Sequence, residues 1–260
     1  MATLPAGAPP RSAEQSERRF YFVMTLAMSL IIVAGFTLNL AMGRSTFAAP
    51  AAYHAHALVF MGWLALSLVQ GWTIVTGRRE LHIRLGKLGY LWVPAMVAMG
   101  ITIMILVARR TGGPFFFAQN EFLVSNIALL LCFGALAMWS LATRRHMGWH
   151  RRLMLVGFSI LTGPGVGRLL PMPLLIPNAW TISFLTTLIF PAILMAADMK
   201  RLGRVHPALL WGTGAYIATF VISMMLAYTP VGYTLTEWVL AGTPGAERPM
   251  TAFIPPGFTM

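Results

Sequence analysis

The sequence predicts an all-α polytopic membrane protein, a bundle of seven transmembrane helices with the N-terminus inside and the C-terminus outside. Three observations predict it. The 260 residues are 57% hydrophobic and only 10% charged, with a mean hydropathy of +0.71, whereas soluble domains run near a quarter charged. Seven apolar stretches are each long enough for a bilayer crossing, which takes roughly 20 residues at 1.5 Å rise. The basic residues fall mostly on alternate loops. The expected organisation is a cytoplasmic tail over 1–19, a transmembrane domain over 20–228 and an extracytoplasmic segment over 229–260.

The first stretch runs from Phe20 to Met42 behind a polar tail. It is longer than the 7–15 residues of a cleavable signal core and reads as a retained anchor. The second runs from His54 to Gly77, the third from Leu88 to Ala108 and the fourth from Phe122 to Thr143. The fifth, Leu153 to Leu170, and the sixth, Asn178 to Ala197, flank a turn crowded by Pro171, Pro173 and Pro177. The seventh runs from Ala208 to Tyr228. Beyond Pro230 the chain reads as a segment along the outer surface, with Tyr233 and Trp238 as interfacial anchors.

Arginine and lysine set the orientation, because cytoplasmic loops hold their excess. Fourteen lie on the tail and the even-numbered loops, against five on the other side: Arg44, Arg109, Arg110, Arg168 and Arg248. The formal charge of +12 is thereby a topology signal, and nucleic acid is not needed to explain it. The seventh stretch has no lysine for a retinal, and the topology is opposite to that of G-protein-coupled receptors. Walker, H-E-x-x-H and G-x-S-x-G patterns are missing from the sequence. The single cysteine, Cys132, excludes a disulfide framework, and the 18 methionines are scattered as core filler.

Polar groups inside a membrane are costly and tend to mark function. An inner collection lies on the cytoplasmic connections. His82-Ile83-Arg84-Leu85 and His150-Arg151-Arg152-Leu153 share a His-x-Arg-Leu pattern, and His206-Pro207 follows the third connection. His82, His150 and His206 each open an inside-to-outside helix, and Pro207 suits the first helical position with His206 as N-cap. The positive end of a helix dipole favours neutral imidazole, the form that ligates metals and haem. Two readings stand: headgroup-level interface residues, or convergence on a cofactor, an ion or an anionic lipid at the cytoplasmic face. Asp198, beside Lys200 and Arg201, reads as a solvated interface pair.

An outer collection opens with His54 and His56, a candidate metal pair only where the backbone is still extended, since residues two apart on a helix diverge by about 200°. Glu121, Arg168, Asn39 and Gln70 are the candidate substrate-binding groups, with Glu121 and Arg168 as the natural ion pair. Gly163-Pro164-Gly165-Val166-Gly167 precedes Arg168. Pro164 removes a helix hydrogen bond roughly 18 Å along from Arg152. It marks either a functional cavity or a packing kink with Gly163 and Gly167 as close-contact points.

Taken together, His54, His56, Trp63, Gln70, Gly77, Arg78, His82 and Gly86, then His150, Arg152, Leu153, Met154, Leu155 and Arg168, then Asp198, Arg201, Gly203, His206 and Pro207 resemble a broad family of bacterial seven-helix inner-membrane proteins. The likeness runs from Arg18 to about Gly232, and Gly163-Pro164-Gly165 is richer in glycine and proline than its pattern. The resemblance implies the fold and a multi-pass place in the bacterial inner membrane, and it implies no reaction. A more distant likeness points to multi-histidine proteins that handle respiratory metal or haem.

Three functions follow as expectations. The first is a redox or respiratory role with haem b or copper held by His82, His150 and His206. The second is a small-molecule transporter or receptor with an outer-facing site near Arg168. The third is an accessory subunit bound to partners in a larger membrane complex.

Overall fold

The computed structural model describes residues 11–258, so residues 1–10 of the expected tail and residues 259–260 lie outside the described residues. The described residues form helices and no strand. In chain order these are α1 (Arg11–Ala41), α2 (Ala51–Val75), α3 (Arg79–Gly86) and α4 (Gly89–Thr111). A π-helical turn, Glu121–Ser125, leads into α5 (Asn126–Ala142), followed by α6 (Met147–Leu161), α7 (Gly163–Leu169) and α8 (Ala179–Thr187). The chain ends with α9 (Ile189–Leu202), α10 (Pro207–Ala227) and α11 (Pro230–Leu240). Six stretches are long and apolar enough to cross a membrane: α1, α2, α4, the π turn with α5, α8 with α9, and α10. Their outward faces carry apolar side chains such as Leu58, Leu91, Ile222 and Met225 in exposed positions. A belt of that kind suits a membrane protein.

Two elements extend what hydropathy delimits. Helix α1 begins nine residues before Phe20, because the tail is made of good helix formers and Glu14 pairs with Arg18 one turn on. The second connection folds as the short helix α3. The π turn with α5 is the innermost crossing, with 61% of its span buried against 39% or less for the others. Its neighbours pack on it through aromatic edges, as where Trp63 meets Phe133 at 6.0 Å.

The fifth stretch is interrupted. Helix α6 ends at Leu161 and α7 starts at Gly163, with Thr162 still in right-handed helical conformation. Pro164 has no N–H to give, and Thr162 Oγ1 turns back onto the Ser159 carbonyl at 2.6 Å. The interruption is a packing kink, and the close-contact glycine is Gly165: a Cβ on Gly163 would meet nothing within 4 Å and one on Gly167 only the Met172 side chain. A Cβ on Gly165 would stand 2.7 Å from Ile32 Cα, and one on Gly35 would stand 2.4 Å from the Gly165 carbonyl oxygen. Helices without a hydrophobic drive between them gain from this backbone approach through dispersion and dipole contacts.

The C-terminal segment closes one end of the bundle. Arg248 donates through Nη1 to the carbonyls of Gly112, Gly113 and Pro114 at 2.8, 2.8 and 3.0 Å, and through Nη2 to Phe117. Gln119 Nε2 donates to the Gly245 carbonyl at 2.7 Å, and the Gln119 N–H to Met250 at 2.8 Å. Gly112 ends α4 at φ +72°, where a Cβ would also press on that Gly245 carbonyl. Burial pushes the Arg248 guanidinium down to about 10, well above neutral pH.

Candidate functional site

At the opposite, basic end, His82 on α3 and His150 on α6 come together, with ring centres 6.3 Å apart and planes at 81°. Each imidazole is anchored on the same side. His82 Nδ1 lies 3.3 Å from the Gln70 carbonyl oxygen and His150 Nδ1 lies 2.9 Å from the Ser140 carbonyl oxygen. A carbonyl accepts only, so each Nδ1 is the protonated nitrogen and each Nε2 keeps its lone pair. Ser140 Oγ also lies 2.9 Å from His150 Nδ1, but it gives its hydrogen to the His150 carbonyl at 2.7 Å, which leaves Nδ1 as the donor there too. Burial pushes the His82 imidazole below its ordinary value, with the Gln70 carbonyl opposing and His150 adding to the shift. The neutral, ligand-competent form therefore prevails there.

Gln70 belongs to this end and not with the outer histidines. A Cβ on Gly86 would sit 3.2 Å from Gln70 Nε2, so the amide packs on α3. Gln70 Oε1 is buried without a hydrogen-bond partner.

His206 stands apart from the pair. Its Nδ1 accepts from the Ala208 N–H at 3.1 Å, so it caps α10 as the sequence leads one to expect. Its ring meets Trp149 edge-on at 5.8 Å. Because Nδ1 is the acceptor, the His206 tautomer is the reverse of the other two. Burial, and then the charge of Arg152, lowers its affinity for a proton.

Asp198 overturns the expectation of a solvated pair with Lys200 and Arg201. It is 2% exposed and takes a bidentate grip from Arg152, itself 1% exposed, with Nε donating to Oδ2 at 2.8 Å. Asp198 also accepts the His206 N–H at 3.1 Å. Arg151 pairs with Glu17 at 2.6 Å and lies over the Tyr21 ring at 4.7 Å. These contacts lock α1, α6, α9 and the start of α10 into one polar knot. Buried arginine needs this kind of fork-on-fork partner.

The outer candidates do not assemble as the sequence leads one to expect, although His56 lies within reach of the Arg168 charge. Arg168 and Glu121 make no ion pair: Arg168 Nη1 donates to the Pro164 carbonyl at 2.7 Å and its guanidinium lies 3.9 Å over Phe36. Glu121 accepts from the Tyr228 hydroxyl at 2.6 Å. His54 Nε2 meets the carbonyls of Phe47 and Ala49, each at 3.1 Å, whereas His56 lies on Phe60 at 4.2 Å. Helix α2 is already formed at Ala51, so the two rings diverge. Asn39 is half-buried near the end of α1. Among the described residues no three His, Cys, Asp or Glu side chains gather as a metal site.

No family model, curated protein or solved structure matches the chain. Sequence reasoning named His82 and His150 but passed over Ser140. The signal for Ser140 lay in the short α5–α6 turn, which folds residues 140 and 150 against each other.

Proposed function

We propose that this protein is a seven-span protein of the bacterial inner membrane that holds haem b or a copper ion between His82 and His150, in a redox or respiratory role. Helices α6 and α7 in tandem make the fifth crossing. The histidine pair lies inside and the C-terminal segment outside, as the distribution of arginine and lysine favours.

One observation carries the reading: both imidazoles are tied through Nδ1 to backbone carbonyls, which leaves both Nε2 atoms for a ligand. Carbonyl-anchored imidazole is the usual state of a metal-ligating histidine, because the anchor fixes the tautomer and raises the basicity of the other nitrogen. The two ring centres stand 6.3 Å apart, near enough for one ion to reach both imidazoles. A bound ion would let electrons enter or leave at the cytoplasmic face.

The test is a reduced-minus-oxidised visible spectrum of the full chain in mild detergent, followed by titration with copper(I) under reducing conditions. The expected result is a haem b α-band or stoichiometric copper(I) binding, lost in both His82→Ala and His150→Ala and kept in His206→Ala. A featureless spectrum together with no copper(I) uptake by the folded wild type sinks the proposal.

A further inference from the structure

Helices α4 and α5 do not close on each other along their outward side. Pro94 interrupts the hydrogen bonding of α4, and the facing positions carry the small residues Ala98, Gly134 and Ala135. The result is a groove of about 340 Å³ walled by Pro94, Ala98, Leu131 and Met138, with Gly134 at its floor. Pro94, Ala98, Leu131 and Ala135 are exposed along it, so in a bilayer it opens to lipid.

The groove has a polar mouth at the basic end. One turn before Pro94, the Tyr90 hydroxyl donates to the Leu141 carbonyl at 3.0 Å and receives Arg144 Nη1 at 2.6 Å. The Arg144 guanidinium lies 5.7 Å over the Tyr90 ring, and Arg144 and Arg145 are both exposed. Pro94 and Ala98 lie about 6 and 12 Å below Tyr90 along the helix axis, at 1.5 Å per residue. An apolar slot therefore starts one helical turn below a fixed arginine at interface depth. That is the layout of a phosphate followed by an acyl chain.

We propose that this groove binds one anionic phospholipid, its headgroup phosphate on Arg144 and Arg145 and one acyl chain between α4 and α5. Charge decides the occupant. A second copy of the chain seated here in the same membrane orientation would bring a second Arg144–Arg145 pair to the first, on a protein of formal charge +12. An anionic headgroup complements the pair, and basic sites at the cytoplasmic ends of membrane helices select such lipids. The inference rests on the bilayer crossing and is independent of the histidine pair.

Native mass spectrometry of the full chain, extracted from vesicles of equimolar phosphatidylglycerol and phosphatidylcholine, tests it. The expected result is one retained phosphatidylglycerol per chain. Ala135→Trp fills the slot and should abolish retention, and Ala98→Phe on the opposite wall provides a second block should the first variant misfold. Arg144→Gln combined with Arg145→Gln should leave a lipid bound but lower the preference for phosphatidylglycerol about tenfold, the loss of charge-assisted contacts. Equal retention of both lipids by the wild type, or unchanged retention in a folded Ala135→Trp or Ala98→Phe protein, overturns the proposal. So does a wild-type dimer that Ala135→Trp dissolves, which would make the groove a helix interface.

Discussion

The two ends of the bundle satisfy their polar groups in different ways. At the capped end, side chains bond mostly to backbone: Arg248 collects carbonyls from residues 112–117, Gln119 reaches Gly245, and Asn120 Nδ2 reaches the Ala227 carbonyl at 2.8 Å, with Tyr228 to Glu121 a neutral-donor exception. At the basic end, oppositely charged side chains pair with one another, as in Arg152–Asp198 and Arg151–Glu17, and two imidazoles keep a nitrogen free. The first arrangement ties loops down and leaves little chemistry open. The second holds helices in register and leaves lone pairs unused, which is what a ligand site requires.

The largest test of this contrast is the buried ion pair. Asp198→Ala strands the Arg152 guanidinium, and an uncompensated buried charge costs about 3–5 kcal/mol. Chemical unfolding in detergent should show that loss. The double variant Arg152→Met with Asp198→Leu should recover most of it, since apolar replacement of a whole buried pair is often close to neutral. A double variant as unstable as the single one would mean that the knot orders the basic end by more than charge balance.

Arg248→Met is the matching test at the capped end, with a smaller and more local effect. Hydrogen bonds from a charged donor are worth about 1.5–3 kcal/mol in favourable settings. Because the freed carbonyls can reach water, most of the change should appear as local opening. Amide exchange over 112–119 should rise about tenfold or more, while the basic end stays protected. Softening of both ends together would dissolve the distinction between them.

How much of this was legible in the sequence follows from what each inference needs. The six long apolar helices are properties of local composition, so hydropathy found their ends within about five residues, except the start of α1, which lies nine residues before the expected one. The fifth stretch was legible as apolar and as broken, and the structure adds that Gly165 against Gly35 gives the break its place. Asp198 misled for a physical reason. Its sequence neighbours Lys200 and Arg201 offered charge at hand, yet the partner that wins, Arg152, lies 46 residues away. Depth and rotation of α6 decide that pairing, and neither is written in a hydropathy profile. The same holds for the supposed Arg168–Glu121 pair, where each group found a nearer partner. His82 and His150 drew attention through a repeated pattern, but that His206 spends its Nδ1 on capping required the backbone.

Midway between the ends, Gly165→Ala tests whether the kink is packing. The added methyl would meet Ile32 Cα and the Ile31 carbonyl, with no flexible side chain to give way. Overpacking of this kind costs about 1–3 kcal/mol. The thermal midpoint should fall by several degrees with both ends still protected from exchange. A neutral Gly165→Ala would show that α1 and α7 separate freely, and the kink would then need another cause.

The smallest expected effect concerns acid. Burial holds the folded His82 below its ordinary value of 6.5, and His206 shifts in the same direction. The folded state therefore binds fewer protons than the unfolded chain. Its contribution to stability is complete above the ordinary histidine value and is lost as pH falls through the lower folded value. Between pH 7.5 and 5 the midpoint should drop by a few degrees at most, and His82→Gln, which no longer titrates, should flatten that slope. Arg248, pushed to about 10, stays charged across the whole interval. Acid should accordingly raise amide exchange over 79–86 while leaving 112–119 unchanged. If acid opens 112–119 first, the titrating groups that matter lie at the capped end, and the basic end loses its claim to the pH-sensitive chemistry.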